Sequence, residues 1–206
     1  MTKCWKTALL TSVMASVFLS GCMGKIKNPA YYRLNLVPPV DPPAKTDARA
    51  SIAVREFQAP TYLREGPIVY FASPEEIGFY QYHRWAVDPR QTITQGIVEH
   101  LRASGNFKLV KIYDGRNDVD YVLSGLLEKL NEVDYDGGVK VEVALSAQVT
   151  DVRNGNTIWS NSAAEKSKVE GRNVSSVVAQ MSHLTDRSIE ELLKSLALPP
   201  FTTANR

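Results

Sequence analysis

Cysteine is nearly absent from this chain, with only Cys4 and Cys22 among 206 residues. A disulfide framework and a thiolate zinc site are therefore excluded. Histidine is scarce as well. His83, His100 and His183 fall on separate predicted elements, at no metal-ligand spacing. No G-x-S-x-G, P-loop, G-x-G-x-x-G or H-E-x-x-H motif occurs, so the sequence offers no catalytic site and no cofactor site. Residues 134–138, Asp-Tyr-Asp-Gly-Gly, lack the further carboxylates of a calcium loop and read as a hairpin turn. Glu75 and Glu76 are adjacent and point apart in an extended chain. Charge of one sign is also missing, with 24 Lys and Arg against 22 Asp and Glu. That leaves no basic excess to hold nucleic acid or an acidic membrane surface. There is one long apolar run, at the start, and no second one that could cross a membrane.

That run lies in MTKCWKTALLTSVMASVFLSGC. Lys3 and Lys6 precede it. Ala8 to Phe18 carries no charge and is too short to span a bilayer. Small residues then lead to Cys22. The pattern matches a bacterial lipobox, where the thiol takes up diacylglycerol and cleavage frees a new N-terminus. The plainer alternative is an ordinary secretory signal that happens to hold a cysteine. Residues 1–21 are thus read as signal peptide and Cys22 as the lipidation site. Each buried acyl methylene contributes about 0.8 kcal/mol, so one chain holds marginally and two or three hold stably. Met23, not Asp, follows the cysteine. By the enterobacterial sorting rule this sends the protein to the outer membrane, on its periplasmic face. Cleavage removes Cys4 and both lysines, which make up the whole formal excess of +2. The mature chain is then nearly neutral and has a single cysteine, so its core must stabilise it without a disulfide.

Residues 22–30 read as a lipidated tether, 31–198 as one α/β domain and 199–206 as a disordered tail. Strands are expected over 31–37 and 51–57, separated by a proline-rich connector at 38–44. A hairpin follows, 67–73 and 77–86, turning at 74–76. Asp88-Pro89 opens a helix with Ile93, Ile97 and Leu101 on one face, closed by Gly105. Residues 107–113 form a strand. Residues 119–134 read as a long strand, although YVLSGLLEKLNEV also suits a helix. Residues 139–150 alternate cleanly after the glycine turn, with Val139, Val141, Val143, Leu145, Ala147 and Val149 facing inward. A strand follows the Asn154-Gly155 turn and ends near Glu170. Asn173 then caps a last helix whose apolar side runs from Val174 to Leu196. The fold class is α+β, a mostly antiparallel sheet with about two amphipathic helices on one face.

Residues 79–85 concentrate Phe79, Tyr80, Tyr82, His83 and Trp85, with Arg84 among them. Regular alternation would put Phe79, His83 and Trp85 on one face and Tyr80, Tyr82 and Arg84 on the other. The segment is either a core strand packed on both sides or a docking surface, since Tyr, Trp and Arg are enriched at interface hot spots.

Three stretches carry a family resemblance: YYRL soon after Cys22, SPEEIGFYQYHRWAVDP, and DVRNGNTIWS followed by a C-terminal helix. Together they resemble the ABC-type transport auxiliary lipoproteins, the paraquat-inducible protein C-like group, over nearly all of the mature chain. The resemblance implies a fold like the TolB amino-terminal domain, no catalytic residue and no cofactor. It also implies partnership with a periplasmic mammalian-cell-entry (MCE) domain protein and its ABC-type inner-membrane permease, in moving lipid between membranes. This chain would be the outer-membrane dock of that system, held to outer-membrane lipids through Cys22 and capable of forming a homo-oligomer. An envelope-assembly or peptidoglycan-synthase-activating lipoprotein of similar fold is the alternative partner class. A lipid-modifying enzyme is a third reading.

Overall fold

The computed structural model describes residues 27–37, 48, 50–116, 118–135, 137–171 and 173–197. Cys22, the 38–44 connector and the 199–206 tail lie outside the described residues.

Eight strands and two α-helices follow in the order β1 (Ala30–Tyr32), β2 (Ser51–Val54), β3 (Pro67–Phe71), β4 (Ile77–Trp85), α1 (Pro89–Ser104), β5 (Leu109–Ile112), β6 (Tyr121–Val133), β7 (Lys140–Asp151), β8 (Thr157–Lys168) and α2 (Val174–Lys194). All eight strands join one mixed sheet with β6 as its spine. One edge of β6 pairs antiparallel with β7, which pairs antiparallel with β8. The other edge is shared. Its N-terminal half takes β2 in parallel, and β2 takes β5. Its C-terminal end takes β3 in parallel, and β3 forms an antiparallel hairpin with β4. β1 closes that side, parallel to β4. The antiparallel pairings carry most of the paired length, so the α+β reading holds.

Both helices pack on one face of the sheet, where the sequence pattern turns its apolar positions. Val141, Val143, Leu145, Ala147 and Val149 are all buried there. α1 is capped by Asp88, whose carboxylate accepts from the Arg90 backbone N–H, with Pro89 in its first turn. It ends at Gly105, whose φ of 67° is the left-handed conformation open to glycine. α2 is capped by Asn173, whose side chain accepts from Ser176 N–H. Val177, Met181, Leu184, Ile189 and Leu192 are buried on its inner face, each contributing about 1.5–3 kcal/mol through burial.

Two expectations change in detail. The first strand is Ala30–Tyr32, so only Tyr31 and Tyr32 of the predicted 31–37 strand pair in the sheet. Residues 33–37 leave it to lie along α2, where Asn35 N–H donates to Ser182 Oγ at 3.0 Å. Leu34 is buried there. A Cβ on Gly96 would come within 2.8 Å of Leu36 Cδ1, so Gly96 lets this segment approach α1. Residues 121–133 form a strand, and the register explains their helix-like look. The pairing shifts between Leu127 and Lys129, so the helix-facing set moves from Leu123 and Leu127 to Leu130. A bulge therefore produces a three-residue spacing without a helix.

Candidate docking site

The aromatic segment lies in the wing formed by β3, β4 and β1. Its local geometry is set by an irregular pairing: Val69 opposes Phe79, whereas Pro67, two residues earlier, opposes Arg84. β4 thus carries extra residues between Phe79 and Arg84, and its alternation resets there. Tyr80 and His83 consequently stand on the same side, their rings edge to face at 5.5 Å. The regular alternation expected from the sequence, which put His83 and Trp85 with Phe79, fails at this bulge. The helix side of the wing carries Tyr80, His83 and Trp85; Phe79, Tyr82 and Arg84 face away.

The two sides differ in chemistry. Trp85 is only 8% exposed and belongs to the core, so it offers nothing to a partner. Beside it, the Tyr70 and Tyr80 rings pack at 5.1 Å. Gly78 makes this possible, because a Cβ there would fall within the Tyr70 ring. Tyr80 OH donates to Glu132 Oε2 at 2.9 Å. Tyr32 Oη lies 2.9 Å from His83 Nδ1, the imidazole tautomer setting which group donates. Glu132 is only 4% exposed. Burial pushes its carboxyl above the ordinary range, and the charge of Asp134 adds to this against the Tyr80 hydrogen bond. Burial, then the charge and hydrogen bond of Glu132, push the Tyr80 phenol well above its ordinary value. Tyr80 therefore remains a proton donor, and this cluster presents half-buried aromatic faces with polar tips.

On the opposite side Ile77 and Phe79 are exposed. Lys27 Nζ sits 4.9 Å from the centre of the Tyr82 ring. Arg84 donates to the Glu65 carbonyl at 3.3 Å. Tyr31, opposite Arg84 in the β1–β4 register, is 63% exposed.

Tyr32, Tyr70, Glu132 and Lys27 were not among the expected site residues. The 67–73/77–86 hairpin held a signal for Tyr70, which pairs with Gly78 across it. Glu132 and Tyr32 arrive through parallel pairings that leave no local trace. The histidines do not converge. His83 is on β4, His100 is buried in α1 with Nδ1 at 2.9 Å from Gly96 O, and His183 is exposed on α2. Among the described residues no group of three or more His, Cys, Asp or Glu could hold a metal, and no helix is long and apolar enough to cross a membrane. Two cavities lie away from the aromatic strand. One, of about 450 Å³, sits between the C-terminal ends of α1 and α2. The other, of about 620 Å³, lies between α1 and residues 33–36.

Several solved structures share this architecture. Protein XCC0632 from Xanthomonas campestris superposes with a TM-score of 0.69 at 14% identity, covering 82% of this chain and 95% of its own. A second solved protein gives 0.65 at 15% identity, covering 82% and 99%. The PelC dodecamer from Paraburkholderia phytofirmans is looser, at 0.48 and 18% identity over 76% and 93%, and bears on neither fold nor assembly. At these identities the first two likenesses speak for the fold alone. No curated protein matches the chain. The family of ABC-type transport auxiliary lipoprotein components matches residues 32–192, from the end of β1 almost to the end of α2. The chain belongs to that family of ABC-type transport auxiliary lipoproteins.

Proposed function

We propose that this protein is a non-catalytic component of an MCE/ABC-type intermembrane lipid transport system. It is anchored in the outer membrane through Cys22 and docks the periplasmic MCE protein there. The observation that carries this reading is the family match over 32–192, joined to the lipobox at the start of the chain. Geometry adds support: the tether between Cys22 and Lys27 is too short for the domain to travel. Five residues reach about 17 Å at most. A domain of this size has a radius of gyration of about 16 Å, so lipid crossing the periplasm needs a longer partner to meet it. The helix side of the wing, with Tyr70, Tyr80 and His83 around Glu132, is the contact assigned to that partner. It combines residue types found at hot spots with a partly desolvated setting.

The test is co-purification of the intact lipoprotein with an MCE protein encoded beside it. The proposal expects a stoichiometric complex, weakened about thirty-fold by Tyr70→Ala, the size of a hot-spot loss of about 2 kcal/mol. No complex with the wild-type protein would overturn it. Turnover of labelled phospholipid by the purified protein, abolished by one substitution, would overturn the non-catalytic assignment.

A further inference from the structure

We infer that the face of β4 turned away from the helices rests on the phospholipid bilayer that holds the anchor, with Tyr31, Phe79 and Tyr82 at headgroup level. The inference requires the lipid anchor but not the MCE partnership, so it can fail while the docking role stands.

Three observations converge on this face. The first is position. Lys27 lies over the Tyr82 ring, and Cys22 is five residues upstream, so the acylated end is within about 17 Å of this spot. The bilayer surface must pass close to whichever side of the domain holds Lys27. The second is exposure. Tyr31 is 63% exposed and Phe79 40% exposed, although both lie on paired strands. Such residues are amphipathic or apolar rings, the types that settle at the boundary between acyl chains and headgroups. The third is local charge. The protein as a whole has almost no net charge, but Lys27 lies over the Tyr82 ring and Arg84 stands opposite Tyr31. Long basic side chains can reach phosphates while their stems cover apolar surface. Glu75 and Glu76 sit in the turn at the far end of β4, away from Lys27, and mark the outer limit of the face. The bulge in β4 matters here. It puts Tyr82 and Phe79 on one side and frees the Tyr70–Tyr80 side to face the periplasm. A membrane face and a partner face then lie back to back on the same strand.

The full lipoprotein, acylated at Cys22, is reconstituted in vesicles of phosphatidylethanolamine and phosphatidylglycerol carrying a quencher near the headgroups. A small fluorophore is placed in turn through Tyr31→Cys, Phe79→Cys and, on the exposed end of α2, Glu191→Cys. Quenching at positions 31 and 79 is expected to exceed that at 191 by about twofold or more, as for groups lying 5–10 Å deep in the interface. Tyr31 and Phe79 are exposed, so either label tests the idea with the fold intact. A Lys27→Glu, Tyr82→Ala double variant should lower the quenching at 31 towards that at 191. Equal quenching at all three positions would overturn the inference. Shielding at 31 and 79 that appears only when a protein partner is added would overturn it too.

Discussion

β7 and β4 are both long strands of one sheet, yet they use their two faces differently. On β7 the side toward α2 is aliphatic and buried from Val141 to Val149, and the other side carries Glu142, held between Lys129 and Lys166. On β4 both sides carry rings. One side is half-covered around Tyr80 and Glu132, and the other is open at Ile77 and Phe79. α2 reaches across β6, β7 and β8 and α1 covers β2 and β5, which leaves the wing partly uncovered. The first region is packed along its whole length, and the second leaves rings partly exposed.

Substitutions can break this contrast. The largest effect is expected in the helix-covered half. Leu184→Ala empties a fully buried position on α2 and should cost about 2–5 kcal/mol, read by chemical denaturation. A cost below about 1 kcal/mol would mean that α2 does not carry the core. Two glycines sharpen the comparison. A Cβ on Gly125 would enter the ring of Phe57, which has no exposure and nowhere to move. Gly125→Ala should cost about 1–3 kcal/mol or more. In Gly78→Ala the obstructed ring is Tyr70, half-exposed and free to swing outward, so the loss should be about 1 kcal/mol or less. Equal losses would show that the wing is as tightly packed as the rest.

The smallest effects are those of pH, and they have opposite signs in the two regions. At the cap of α1, burial works against the Asp88 carboxylate, but the hydrogen bonds of Arg90 win and hold its pKa below the usual value of 3.8. Its stabilisation is complete above that value and is lost as pH falls below it. Asp88→Ala should cost about 1 kcal/mol at neutral pH and remove that acid-side loss. Glu132 in the wing is raised above its usual 4.5, chiefly by burial. Its contribution is complete below 4.5 and fades as pH rises through the raised value. Glu132→Gln keeps an acceptor for Tyr80 and should flatten this decline, as measured by thermal unfolding across the pH range. A decline identical to wild type would place Glu132 in a better-solvated setting than the structure gives it.

Much of the fold was legible because one face of most elements is buried. Alternation in 139–150, the Asp88-Pro89 and Asn173 caps and the glycine turns each rest on a few neighbouring residues. The details that escaped are those where tertiary contacts override a local period. The bulge in β6 gave residues 121–133 a helical spacing. Leu34 and Leu36 continue the apolar rhythm of β1 after leaving the sheet for the helices. In the candidate site the crowding of rings at 79–85 was visible, but their sides were not, because the β4 bulge appears only when β3 is paired with it. Glu132 and Tyr32 come from strands that are distant in sequence, joined by parallel pairing.

The central claim is that β4 has a partner face and a membrane face. It is tested most directly in living cells by a photo-crosslinking phenylalanine analogue placed at position 70 and, separately, at position 31. The account predicts a protein adduct containing the MCE component from position 70, and lipid adducts without that protein from position 31. The same MCE adduct from both positions, or lipid adducts from position 70, would contradict it.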